Sequence, residues 1–281
     1  VSVKVLLRRI LPVGVVSALL TYLGLTGLLW WAQDALVFLP STEYVDLPQH
    51  RGLVHEEVDI DVASDTKIRG WFVRAFGVPH GTILYFHGNA GNLSTNLSHI
   101  RRFAEEGFDS FSIDYEGYGA SDGVASESNF YRDADAAWEW LTETKGVEPE
   151  NIMIWGHSLG GGAATWCASR HTPRMVVLES TFTSMPDMGA HIYWWLPVRL
   201  ISHNFFANLE RVPAIQASIL IAHGKGDELI PFEMGEDLFQ GANEPKRFVE
   251  LDGGHNNGFV STPRAWKEMK ALFAEAAKMG N

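Results

Sequence analysis

Three side chains set far apart in this sequence have the types needed for acyl transfer. Ser158 lies in "GHSLG", with Gly156 and Gly160 two positions to either side. A serine hydroxyl attacks a carbonyl only when a base takes its proton and its oxygen stands clear of the backbone. A sharp strand-to-helix turn exposes the oxygen through a strained backbone, which flanking glycines tolerate. His255, in "ELDGGHNNG", is the candidate base, and Asp227, in "IAHGKGDELIP", is the candidate acid that follows the serine and precedes the histidine. A carboxylate is needed because one ring nitrogen accepts the serine proton only if the other is fixed as N–H. Glu179, at an expected strand end, is the reserve candidate for the acid, whereas Asp252 is too near His255 in the chain.

The oxyanion that forms during acyl transfer needs backbone donors. The residue after the nucleophile, Leu159, supplies one N–H. Asn89, in "YFHGNAGN", supplies the second, with Gly88 and Gly91 allowing close approach. His87, Gly88 and His157 flank these groups and are expected beside the substrate. His223 is expected to make a local hydrogen bond near the Asp227 loop.

Elements must bring these residues together. "VHEEVDIDV" alternates apolar and polar residues and is followed by "KIRGWFVRA", so the two are expected to pair antiparallel. Six short apolar runs follow at 82–86, 108–113, 151–155, 175–179, 218–222 and 247–251, as strands of a parallel sheet covered on both faces require. Helical stretches fall between them: Ser94–Glu106, Glu127–Lys145, Leu159–Arg170, Phe232–Gln240 and one starting at Pro263, with Thr262 as its expected N-cap. The alternation gives a doubly wound α/β sheet, with Ser158, Asp227 and His255 beyond the carboxyl ends of strands. Between Ser180 and Ala217 the connection is far longer than an ordinary loop. Met188, His191, Ile192 and Trp195 lie there at helical spacing. This segment, about 181–216, serves either as a cap whose Trp194 and Trp195 contact substrate or as packing on the sheet.

Bulk properties exclude several classes. The formal charge of -12, with no basic stripe, argues against a nucleic-acid partner. The single cysteine excludes an intrachain disulfide and a cysteine-rich metal site. The acidic run Glu56, Glu57, Asp59 and Asp61 is expected to be a solvated strand face. "YEGYGASDG" opens no helix after its glycines, so a nucleotide loop is rejected. Residues 10–31 carry no charge, enough to span a hydrocarbon core of about 30 Å as a helix. Lys4, Arg8 and Arg9 precede this run and acidic residues follow it. The expectation is an uncleaved signal anchor over 1–33, a connector over 34–50 and a catalytic domain over 51–281. The N-terminus would be cytoplasmic, the domain extracytoplasmic, and Trp30 and Trp31 interfacial. Two sequons, at Asn92 and Asn96, lie too near the oxyanion loop to be useful glycan sites.

Taken in order, "YFHGNAGN", "DYEGYGASDG", "WGHSLGGGAA", "ESTFTSMPDM", "LIAHGKGDELIP" and "GGHNN" resemble the α/β-hydrolase superfamily. The likeness extends to its bud-emergence-type branch of single-span membrane serine hydrolases, and "FLP" ending at Pro40 is similar to that branch as well. Glu116 departs from it, since arginine or serine often precedes Gly-Tyr-Gly there. The resemblance implies an α/β-hydrolase fold, a Ser-His-Asp esterase or lipase acting on small acyl esters or lipids, and no metal or organic cofactor. An acyl-protein thioesterase, a serine aminopeptidase and a non-catalytic membrane scaffold stay open beside it.

Overall fold

The computed structural model describes residues 3–279 of the 281, and side chains for 11–278. The elements in chain order are α1 (Val3–Val37), β1 (Leu39–Pro40), β2 (His55–Ala63), β3 (Thr66–Val73), β4 (Thr82–Phe86), β5 (Ala90–Gly91), α2 (Leu97–Glu105), β6 (Asp109–Ile113) and α3 (Glu127–Glu139). They continue with β7 (Ile152–His157), α4 (Gly160–Arg170), β8 (Met175–Glu179), α5 (Met185–Ile192), α6 (Val198–Ile201), α7 (Asn208–Arg211), β9 (Ser218–Gly224), α8 (Phe232–Gly241), β10 (Lys246–Leu251), α9 (Gly258–Ser261) and α10 (Pro263–Met279). Eight strands form one sheet in the order β10-β9-β8-β7-β4-β6-β3-β2. The β2–β3 and β3–β6 pairs are antiparallel, and every other pair in that sheet is parallel.

The near-continuous apolar strands arise because successive side chains point to opposite faces and both faces are covered. Leu84, Phe86, Ile154, Val176 and Leu178 pack toward α3 and α4, against Phe130 and Ala163. Their neighbours Ile83, Tyr85, Trp155 and Val177 pack the other way, toward Phe103 of α2 and Trp266 of α10. Each fully buried large side chain contributes on the order of 1.5–3 kcal/mol. Strands in the middle of this sandwich are therefore stiff supports for the loops at their carboxyl ends. The acidic face of β2 is exposed as expected, with Arg69 bridging Glu57 and Asp59 and Lys145 bonded to Glu56.

Several boundaries differ from expectation. α1 runs through Val37, past the division set at residue 33, and the following segment is woven into the fold. β1 pairs in parallel with β5, Leu39 opposite Ala90 and Pro40 opposite Gly91. The Asn92 amide donates to the carbonyls of Ser41 and Glu43, so this sequon asparagine is buried and engaged. The Thr262 hydroxyl accepts from Asp252 N–H and donates to Gly258 carbonyl; it is occupied closing the α9 turn. The stripe anticipated through the long insertion ends early. α5 stops at Ile192, where the Tyr193 N–H closes on Gly189 carbonyl, and Pro197 prevents one continuous helix from running on into α6. Met188 is buried, but His191 and Ile192 are largely exposed and Trp195 lies beyond the helix.

Candidate active site

Ser158 occupies the turn between β7 and α4 at φ +54°, a left-handed conformation rare for a residue with a Cβ. Its neighbours make that turn possible. A Cβ at Gly160 would lie 2.0 Å from the Phe86 carbonyl oxygen, and one at Gly156 would lie 2.6 Å from Ala164 Cβ. The turn is clamped from the next strand. Ser158 N–H donates to Glu179 carbonyl at 3.0 Å, and Thr181 Oγ1 donates to Ser158 carbonyl at 2.7 Å.

The three expected side chains meet in a line. Ser158 Oγ is 2.9 Å from His255 Nε2, and His255 Nδ1 is 2.9 Å from Asp227 Oδ2. Burial works to raise the Asp227 pKa, but hydrogen bonds from His223 and His255 and from Ile230 N–H hold the carboxyl well below the usual carboxylate range. Leu229 N–H donates to the same carboxylate at 2.9 Å. An ionised carboxylate can only accept, so His255 Nδ1 carries the proton and Nε2 accepts from the serine hydroxyl. His223 plays the local part anticipated for it, with Nε2 donating to Ile230 carbonyl at 3.0 Å.

Glu179, the reserve candidate, serves elsewhere. Its Oε1 is 3.2 Å from His99 Nε2, and Trp155 Nε1–H donates to Oε2 at 2.9 Å. Burial opposes its charge, yet the charge and hydrogen bond of His99, with lesser help from His157 and Trp155, bring it to about 2. His157 sits between this pair and the triad. Its Nε2 donates to the His255 carbonyl at 3.0 Å and its ring lies 5.2 Å from the His255 ring. Burial lowers its pKa to about 4, leaving a neutral imidazole near pH 7.

The loop after β4 is braced on three sides. Asn89 carbonyl accepts from Leu39 N–H and Tyr118 Oη, while its side-chain amide donates to Val37 carbonyl. Asp114 holds the loop from below, accepting from Leu93 N–H and Tyr44 Oη at 2.8 and 2.7 Å. A Cβ at Gly88 would come 3.3 Å from Ser158 Cβ, so the loop passes directly over Ser158. Neither the Asn89 N–H nor the Leu159 N–H is taken by an acceptor among the described residues.

A cavity of about 720 Å³ adjoins these groups, within the usual range for small-molecule sites. Ser158, His255, His157, Gly88, Asn89 and Leu159 line its floor. Its roof comes from two places. α5 and α6 contribute Met185, Met188, Ile192 and Ile201, and α1 contributes Leu29, Gln33, Leu36 and Val37. Among its described lining residues there is no carboxylate, lysine or arginine. Three residues expected beside the substrate lie elsewhere. His87 is fully buried beneath the loop, its ring against Tyr115 and Tyr118, because the strand alternation that exposes Gly88 turns His87 inward. Trp194 and Trp195 project outward from the insertion, away from the cavity, because the helix that would have turned them inward ends before them. The wall supplied by α1 went unread in the sequence. Its only trace there is Gln33-Asp34, the first polar pair after the apolar run, which bonds to the insertion.

Comparison with known proteins agrees with this architecture. Residues 77–209 match the family described as serine aminopeptidase, S33. An uncharacterized protein of Mycobacterium tuberculosis is 33% identical over 97% of this chain and 98% of its own length. The human protein named alpha/beta hydrolase domain-containing protein 17B is 34% identical over 68% of this chain and 66% of its own. An esterase of Pyrococcus furiosus superposes with a TM-score of 0.67 at 19% identity, covering 85% of this chain and 97% of that one. Est1E of Butyrivibrio proteoclasticus, solved with ferulic acid bound, superposes with a TM-score of 0.63 at 18% identity, over 77% and 99% of the two chains.

Proposed function

This chain belongs to the α/β-hydrolase superfamily, and from that premise we propose that it is a membrane-anchored serine hydrolase of carboxylic esters with apolar acyl groups. The observation that carries the proposal is the hydrogen-bonded line Asp227–His255–Ser158 ending on a serine held at positive φ beneath a cavity whose described lining holds no carboxylate, lysine or arginine. Ser158 Oγ attacks the acyl carbonyl while His255 Nε2 takes its proton. The N–H groups of Leu159 and Asn89 receive the oxyanion, and the amino end of α4 adds partial positive charge. Collapse of the tetrahedral intermediate breaks the ester C–O bond, and His255 protonates the departing alcohol. His255 then takes a proton from water, whose oxygen attacks the acyl-enzyme. As the second tetrahedral intermediate collapses, the acyl–Oγ bond breaks and His255 returns the proton to Ser158, releasing the acid.

The family description favours one other reading, a serine aminopeptidase. Such an enzyme must read a substrate ammonium group, and the described cavity wall offers no carboxylate to do so. An acyl-protein thioesterase would use the same triad, but the orientation proposed for α1 places the site away from cytosolic acyl-proteins. That orientation follows from Lys4, Arg8 and Arg9 before the apolar run and acidic residues after it. In this reading the chain is of the bud-emergence type.

Fluorophosphonate labelling of wild type and Ser158→Ala tests the mechanism. Wild type is expected to label and Ser158→Ala not. A ladder of p-nitrophenyl esters beside aminoacyl p-nitroanilides tests the substrate, with turnover expected on esters only. Folded wild type that resists labelling, or full hydrolysis by Ser158→Ala, would falsify the mechanism.

A further inference from the structure

We propose that the tip of the insertion, around Tyr193–Leu200, lies inside the acyl-chain layer of the membrane beside α1. The catalytic cavity then opens toward the bilayer, and its substrate is a membrane-resident acyl ester that enters sideways. This rests on the anchor reading above.

The geometry of α1 carries the argument. Tyr22 Oη donates to Trp195 carbonyl at 3.4 Å, the Trp30 ring meets His203 edge-on at 6.3 Å, and Gln33 Nε2 donates to Ile201 carbonyl at 2.8 Å. Asn204 Nδ2 closes the series on Asp34 at 2.7 Å. The insertion is thus docked along the helix for about 18 Å, at 1.5 Å rise per residue. From Arg9 to Tyr22 the helix rises only about 20 Å, well short of the roughly 30 Å hydrocarbon core. If Arg9 marks the inner edge, the outer edge falls near Leu29, with Trp30 and Trp31 at the boundary where such rings concentrate. Trp195, level with Tyr22, is then about 10 Å inside. Tilting α1 shortens its rise along the membrane normal and carries the tip deeper.

The tip has the chemistry for that depth. Trp194 is 81% exposed and Leu200 87% exposed, with Ile192 and Trp195 beside them. Arg199, the one charged residue in "YWWLPVRL", pairs with Asp187 at 2.9 Å. Irregular backbone survives in hydrocarbon only when its polar groups are satisfied by protein. Here the N–H groups of Tyr193, Leu196, Val198, Leu200 and Ser202 donate to carbonyls within the insertion and the Trp195 carbonyl accepts from Tyr22, which leaves the N–H groups of Trp194 and Trp195 without an acceptor among the described residues. The cavity lies between the same two parts, Leu29 and Leu36 facing Ile192 and Ile201.

The full chain reconstituted in phosphatidylcholine vesicles provides the test. Nitroxide labels are placed at Trp194→Cys and Leu200→Cys, with Leu19→Cys as the helix reference and Val78→Cys, 88% exposed on the catalytic domain, as the water reference. Native Cys167 is fully buried and stays unlabelled in the folded protein. Labels at 194 and 200 are expected to collide with oxygen more than with a water-soluble nickel chelate, as at 19 and opposite to 78. Readings at 194 and 200 that match 78 while 19 stays in lipid overturn the proposal alone. Water-like readings at 19 as well overturn the anchor reading with it. Low collision with both reagents at 194 and 200 means a protein partner or second copy covers the tip, and also overturns it. In a rate assay, Leu200→Asp is expected to slow hydrolysis of monoacylglycerol held in the vesicles at least tenfold and leave a soluble short-chain ester unaffected. Equal effects on both substrates count against the proposal.

Discussion

At the scale of single residues, two buried carboxylates near Ser158 are predicted to fail in opposite ways. Asp227 fixes the His255 tautomer, so Asp227→Asn is expected to lower kcat by roughly 10⁴ while leaving the unfolding midpoint nearly unchanged. Glu179 touches no reacting atom; its buried carboxylate is held by His99 Nε2 and by Trp155 Nε1–H. Glu179→Gln is expected to cost about 3–5 kcal/mol of stability, read by chemical denaturation, with most of kcat retained per folded molecule. Crossed results would mean that Glu179 orients the base. The sequence named both carboxylates as candidates because both end strands. Chain order favoured Asp227. What it lacked was the partner of Glu179: His99, eighty positions away on α2, has no motif around it.

At the scale of elements, the elbow works only if α4 packs hard against β4. A methyl at Gly160 would press on the Phe86 carbonyl at 2.0 Å, backbone against backbone, with no side chain free to yield. Gly160→Ala is therefore expected to destabilise by more than about 4 kcal/mol, seen as loss of soluble protein or of a cooperative transition. The elements that the sequence disclosed most clearly are those with two covered faces, such as β7 and β8, whose every residue is apolar or turned inward by the sheet. The insertion was less legible. Its aromatic run fits helical spacing, yet the helix ends at Ile192, and its apolar side chains divide between the cavity and the outside. Spacing within one segment cannot distinguish those destinations.

At the scale of the whole molecule, acid is predicted to loosen the fold in two stages. His157 titrates at about 4 in the native state and near 6.5 when unfolded, so the unfolded chain binds its proton first as pH falls. The stability this provides is complete above about pH 6.5 and is lost between there and about pH 4, on the order of 3 kcal/mol. Glu179, lowered from 4.5 to about 2, adds stability that is complete above about pH 4.5 and lost below it. Thermal unfolding from pH 7 to 4 is expected to show a midpoint drop of roughly 5–10 °C, shallower in a His157→Gln variant. The contact between α1 and the insertion is testable by hydrogen exchange. Asp34→Ala removes the acceptor for His203 and Asn204 and is expected to speed exchange across 198–204, sparing α4. That contact joins positions some 170 apart in the chain, and no local pattern announces it. Such docking changes what proteolysis can do. Where a tether is a mere leash, a protease that cuts it sheds a working soluble enzyme. Here a cut anywhere between Trp31 and Leu39 would carry off Leu29 and loosen or remove Gln33, Leu36 and Val37, along with the carbonyl that Asn89 holds. If α1 anchors the chain as proposed, release from the membrane would unroof the cavity, and confinement to the membrane would be a condition of the site's own shape.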